Sequence, residues 1–181
     1  MERQRIVFSG AGGQGVITAG IILAEAAVLY EGLNATQAQS YGPEARGGAT
    51  RSDVIISDAD IRYPKVAQPN ILVTLTQEAY NKYVAIVRPG GMVIADARFV
   101  TLLNAVDARQ IALPMHQRVM ERIGKPIVLN ICMLGALLGI AKLVNADSIL
   151  AVLERRIPRD FLPMNRQALE LGLELGTPYQ R

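Results

Sequence analysis

The chain has 181 residues, half of them apolar and about a fifth charged, with one Cys, one His and no Trp. One cysteine excludes an intrachain disulfide and a cysteine-held iron–sulfur cluster, and one His with one Cys cannot build an ordinary zinc site. Nineteen basic residues against sixteen acidic ones leave +3, scattered along the chain, too little to argue for nucleic acid.

The length suits one domain over 1–181 with room for a sizeable core. Fifteen of the nineteen basic residues are arginine, which fits ion pairs and contacts to phosphate or carboxylate. Met1 runs straight into a charged segment without an apolar leader, so a reducing cytoplasm is the expected location.

The elements alternate. Arg5–Ser9 reads as a short buried strand that ends in glycines. Apolar positions from Val16 to Tyr30 recur at helical spacing, and Gly32 is a plausible stop. Leu33–Gln39 is a more polar strand, followed by a glycine-rich stretch, Ser40–Thr50. Arg51–Ser57 is a strand, and Asp58–Asp60 is expected to turn into a short strand at Ile61–Tyr63, forming a hairpin. Further strands are expected at Ile71–Thr76, Met92–Asp96 and Gln110–Leu113, with helices at Glu78–Val87 and Pro114–Ile123. The uncharged run Ile131–Ala141 is apolar on all sides. It is too short for a membrane span and belongs either to the core or under a partner. Gly135 and Gly139, four apart, favour close helix packing. Asp147–Arg156 and Asp160–Leu175 read as amphipathic helices. Alternating strands and helices imply an α/β fold: a three-layer αβα sandwich with a mostly parallel, mixed sheet.

Gly10, Gly12, Gly13, Gln14 and Gly15 lie in a G-x-G-x-x-G pattern between the first strand and helix. Glycines admit a close backbone approach, and the helix start attracts an anion. A dinucleotide site also needs an acid at the end of the second strand, and LNATQAQ has none. Glu31 precedes that strand. Three readings therefore stand: a dinucleotide site, a tight turn only, or a site for another phosphate or a partner surface.

Ser40, Tyr41, Glu44, Arg46, Gly47 and Gly48 form a second unusual loop, dense in hydrogen-bonding groups on a restricted backbone. Arg46 beside two glycines is a reasonable anion contact. His116 is expected at a surface or helix start rather than as a base, Cys132 as an inert buried thiol, and Asp53, Asp58 and Asp60 as edge and turn residues rather than metal ligands.

SGAGGQGVITAGIILAEAA and QSYGPEARGGATRSDVIIS together resemble the gamma subunit of the 2-oxoacid:ferredoxin oxidoreductases. The similarity continues through IRYPKVAQPNILVTLTQEAYNKY, PGGMVIAD, LNICMLGALLG and the segment around Asn165. Asn70 departs from it, since an Asp is expected there. The resemblance implies a Rossmann-like fold that does not bind a dinucleotide. It also implies a complex that cleaves a 2-oxoacid to acyl-coenzyme A and carbon dioxide and reduces ferredoxin. Thiamine diphosphate and magnesium would sit on alpha and beta subunits, and iron–sulfur clusters on a ferredoxin-like delta subunit or on beta. This chain would hold none of them. Its two loops, Gly10–Gly15 and Ser40–Gly48, would contact coenzyme A or the partner subunits. The alternative is a stand-alone dinucleotide-binding oxidoreductase.

Overall fold

The structure is a computed structural model, and it describes residues 3–40, 48–103 and 105–180. Six strands form one mixed sheet: β1 (Gln4–Gly10), β2 (Asn34–Ser40), β3 (Thr50–Ser57), β4 (Ile71–Thr74), β5 (Gly91–Asp96) and β6 (Ala108–Leu113). Their order is β2-β3-β1-β4-β5-β6. β1, β4, β5 and β6 pair in parallel, while β3 runs antiparallel to both β1 and β2. Among the described residues six α-helices accompany them: α1 (Val16–Tyr30), α2 (Gln77–Tyr83), α3 (Met115–Arg122), α4 (Leu129–Ala141), α5 (Ala146–Arg156) and α6 (Leu162–Gly176).

The central strands are apolar on both sides because both faces are covered, and alternate residues serve separate cores. Ile6, Phe8, Val54, Ile56, Val73 and Ile94 face the larger core, with α1 and α3–α6. Val7, Ile55, Leu72 and Val93 face a smaller core closed by Tyr80 and Val84 from the α2 region and by Val66 and Val100 from irregular segments. The sandwich is lopsided: five helices lie on one face, and one helix with two loops on the other.

α4 is apolar all round because it sits inside the larger core. Every residue from Leu129 to Ile140 is buried by this chain itself. α6 lies directly on it through glycines. A Cβ on Gly135 would stand 3.0 Å from Gly172 Cα, and one on Gly139 would stand 2.8 Å from the Leu173 carbonyl oxygen. The helix pair therefore approaches backbone to backbone.

The expected hairpin with Ile61–Tyr63 does not form. β3 is an interior strand whose two edges are taken by β1 and β2, so no free edge remains for a third partner. Residues 58–70 instead cross the second face as a strap. Asp53 pins this strap. It lies in the middle of β3, buried, rather than at an edge or turn, and its Oδ2 accepts the backbone N–H of Val66 at 2.8 Å. Arg51 pairs with the same carboxylate, donates to the Val66 carbonyl and stacks on Tyr83 at 5.1 Å. Asp58 and Asp60 are exposed at the turn, as expected.

Candidate functional site

β1 ends at Gly10, and the chain then makes a short exposed turn into α1. Each glycine of this turn has a separate reason. Gly10 leaves room for Gln14, whose side-chain oxygen accepts the Ala11 N–H at 2.7 Å and lies 2.5 Å from where a Cβ would stand. Gly13 and Gly15 adopt φ of 85° and 75°, which disfavours any side chain. Gly15 is also crowded by Asn130 of α4. Gly12 differs: it has no positive φ, is exposed, and has open space around its missing Cβ. Nothing within the described residues requires a glycine there.

α1 begins without a side-chain cap and without an acid in its first turn. Its first N–H groups and the positive end of its dipole face the carboxyl edge of the sheet, and among the described residues no acid caps them.

The second loop starts and ends on the same edge. Gly10 pairs in register with Thr50, and Ser40 with Arg51. Ser9 Oγ donates to the Thr50 carbonyl at 2.9 Å, tying the root of one loop to that of the other. Ser40 is exposed and Gly48 half-buried; Tyr41, Glu44, Arg46 and Gly47 lie outside the described residues.

The strand order explains the absence of an acid on β2. β2 runs in the same direction as β1, as a dinucleotide fold requires, but β3 is inserted between them. The carboxyl end of β2 is thus two strand spacings, roughly 10 Å, from the glycine turn. Glu31 has a different task. Its carboxylate accepts the Asn145 N–H at 2.7 Å and hydroxyl and amide bonds from Ser148 and Asn145, which caps α5. The Ser148 hydrogen bond is the main cause holding its pKa below the ordinary range.

Beside the turn, α1, α4 and α6 leave an apolar cleft of about 270 Å³ whose lip is Ile127 and Phe161. These two side chains are 77% and 53% exposed.

Sequence reasoning passed over Asp96. It ends β5 on this edge, fully buried, and accepts the backbone N–H groups of Arg98 at 2.9 Å and His116 at 2.7 Å. It therefore caps α3 from a neighbouring strand. Burial raises its pKa above the ordinary value against the pull of those two hydrogen bonds. A lone Asp closing an apolar strand was the available signal. His116 sits in the first turn of α3, with its ring edge-on to Phe99 at 4.9 Å, and acts as a helix-start residue. The Cys132 thiol is pushed up to about 12, chiefly by burial and also by the Asp96 carboxylate. Such a thiol is no nucleophile or metal ligand at neutral pH. Among the described residues no three His, Cys, Asp or Glu side chains come together to hold a metal ion. No described helix is long and apolar enough to cross a membrane.

A family profile described as pyruvate ferredoxin/flavodoxin oxidoreductase matches residues 5–175. Subunit KorC of the 2-oxoglutarate synthase of Methanocaldococcus jannaschii is 43% identical over 176 residues, covering 96% of this chain and 94% of that one. Subunit PorC of the pyruvate synthase of Methanothermobacter marburgensis is 32% identical over 177 residues, covering 93% and 95%. The crystal structure of the gamma subunit of a keto/oxoacid ferredoxin oxidoreductase from Geobacter sulfurreducens superposes with a TM-score of 0.87 at 41% identity, covering 97% of this chain and 99% of that one. Matches of this extent, on a fold whose two glycine loops share one edge, make the chain a member of the pyruvate ferredoxin/flavodoxin oxidoreductase family, as a gamma-type subunit of a 2-oxoacid:ferredoxin oxidoreductase.

Proposed function

We propose that the chain works as one gamma-type domain in a cytoplasmic complex that takes 2-oxoglutarate. The complex releases carbon dioxide, forms a thioester with coenzyme A and passes two electrons to ferredoxin. The choice of 2-oxoglutarate rests on the higher identity to the 2-oxoglutarate synthase subunit than to the pyruvate synthase subunit.

Alpha and beta subunits hold thiamine diphosphate and magnesium, which supply the carbanion chemistry, and a ferredoxin-like delta subunit or the beta subunit holds the clusters. The donor set of this chain does not fit a cysteine-held cluster: its one cysteine is buried and firmly protonated.

The chain contributes the carboxyl edge of its sheet. The observation that carries this is the register joining Gly10 to Thr50 and Ser40 to Arg51, which roots both glycine loops side by side. The uncapped start of α1 offers N–H groups to an anionic group, with Gly12 and Gly13 leaving room for its approach. Arg46 is the charged partner expected from the second loop. Together they bind a phosphate of coenzyme A. The apolar lip at Ile127 and Phe161 continues this edge as a surface for the thiamine subunits.

The test is the assembled enzyme carrying Arg46→Ala, assayed with a panel of 2-oxoacids, coenzyme A and a viologen acceptor. A raised KM for coenzyme A in an intact complex supports the contact. Weakened assembly with unchanged coenzyme A kinetics makes the loop a docking element instead. A wild-type complex that prefers pyruvate overturns the substrate assignment.

A further inference from the structure

The strap over residues 58–70 carries a charge pattern that the carboxyl edge does not use. On the amino half of the second face, Arg3, Arg5, Asp60, Arg62, Tyr63 and Lys65 line an open depression of about 290 Å³. Four cations stand around one carboxylate. Several arginines elsewhere are engaged by acids, as in Arg51–Asp53, Arg122–Glu174 and Arg156–Glu25. Here Arg3 donates to the backbone carbonyl of Asp60, at 2.8 Å. The charged ends of Arg5, Arg62 and Lys65 have no partner among the described residues. Tyr63 stands between the cations, 67% exposed.

The strap is not a loose solvated loop. Its carboxyl part is fixed by the Asp53–Val66 bond and by Asn70, whose side-chain oxygen accepts the Arg5 N–H at 2.9 Å and whose own N–H bonds to the Arg5 carbonyl at 2.8 Å. Its amino part is fixed by Ser57, whose hydroxyl accepts the Ala59 N–H at 3.1 Å, and by the bond from Arg3 to the Asp60 carbonyl. The cations are thus presented from an anchored segment. An exposed tyrosine flanked by arginine is a composition enriched at protein interfaces, whereas isolated surface charge is not. The cations come from two neighbouring segments, Arg3 and Arg5 at the start of the chain's first strand and Arg62 and Lys65 roughly 10 Å apart along the strap at about 3.3 Å per residue. Four separate cations on two segments suit several carboxylates rather than a single phosphate.

We propose that this strap docks an acidic, extended segment of a partner subunit, with Arg5, Arg62 and Lys65 pairing its carboxylates and Tyr63 packing on it. The inference rests on the multi-subunit reading above. The test co-expresses the tagged chain with its alpha, beta and delta partners and washes the immobilised complex through rising salt. The variants are Arg62→Glu/Lys65→Glu and, separately, Tyr63→Ala, all at exposed positions that leave the core untouched. Release of at least one partner subunit at half the wild-type salt concentration or less, or an approximately tenfold weaker Kd for it, is expected for the charge-reversed chain, because screening acts directly on such pairs. Variants that match the wild type at every salt concentration overturn the docking role alone. A wild-type chain that recovers no partner overturns the complex reading and the docking with it. Saturable micromolar binding of inorganic phosphate, lost in the charge-reversed chain, overturns the polypeptide assignment in favour of a small anion.

Discussion

The side-chain amide of Asn130 donates to the carbonyl oxygen of Gly15 at 3.3 Å, and its nitrogen stands 2.5 Å from the point a Cβ on Gly15 would occupy. The start of α1 is therefore held from α4, across the larger core. The turn's glycines divide into those the fold needs and one that it does not. Gly15→Ala forces both a positive φ and a collision, and is expected to cost about 1–3 kcal/mol of stability. Gly12→Ala is expected to stay within about 0.5 kcal/mol of wild type, since no described residue lies within 4 Å of its Cβ position. Urea unfolding measures both. The same Gly12→Ala chain, placed in the complex, is expected to lower affinity for coenzyme A or for the thiamine subunits. Wild-type behaviour in both assays would remove Gly12 from the functional edge.

The α4–α6 contact predicts a sharper loss. A Cβ at Gly172 would lie 2.7 Å from the Ala136 nitrogen, backbone that cannot rotate away. Gly135→Ala and Gly172→Ala are each expected to destabilise by about 3 kcal/mol or more, at the upper end of overpacking costs, because the helices must separate. Thermal unfolding of the purified chain reports this as a lowered Tm. A change of less than about 0.5 kcal/mol, the size of a neutral surface substitution, would contradict the close approach.

Two carboxylates give opposite pH dependences. Asp96 has a raised pKa in the fold, so the native state binds more protons than the unfolded chain as pH passes from the ordinary carboxylate range up to its raised value. Its contribution is largest at low pH and declines as pH rises through that window. Glu31 has a lowered pKa. Its contribution is present above the ordinary range and is lost as pH falls through the depressed value. Urea unfolding across acidic pH is expected to show a gentler decline with rising pH in Asp96→Asn, and a weaker acid-side loss in Glu31→Gln. Identical slopes in wild type and variants would reject these assignments.

Cys132 supplies a direct chemical readout. A thiol pushed up to about 12 and fully enclosed is expected to resist thiol reagents at neutral pH in the folded chain and to react at once in denaturant. Stoichiometric labelling of the native protein within minutes would show that α4 opens or is less enclosed than described.

Most of the architecture was legible from periodicity. The apolar positions of α1 and the runs that became β1, β3, β4 and β5 each had one physical solution, whereas the all-round apolar α4 left core and interface open until its packing inside this chain decided for the core. The misreading at Ile61–Tyr63 shows the limit. Locally those residues favour a strand, but pairing depends on a free neighbour, and β3 had none because β2 returns from α1 to its far edge. That is a long-range fact without a local signal. Asp53 was misjudged for the same reason: a carboxylate inside an apolar strand makes sense only once Arg51 and the Val66 N–H are known to meet it. The glycine turn was readable as a motif, yet the distinct role of Gly12 needed the surrounding space. Of the second loop, the sequence supplied the residues and the structure supplied the positions of its two ends, Ser40 and Gly48.

The Arg51–Asp53 pair has a consequence for how the molecule can vary. Arg51 is the register partner of Ser40, at the root of the glycine-rich loop, and with Asp53 it also clasps Val66 of the basic strap. Two outward surfaces thus hang from a single ion pair between neighbouring alternate residues of one strand. A substitution there could not retune either surface separately. Replacing one member would release the strap and unsettle the loop root in the same event, so the two surfaces are bound to be kept or lost as a unit.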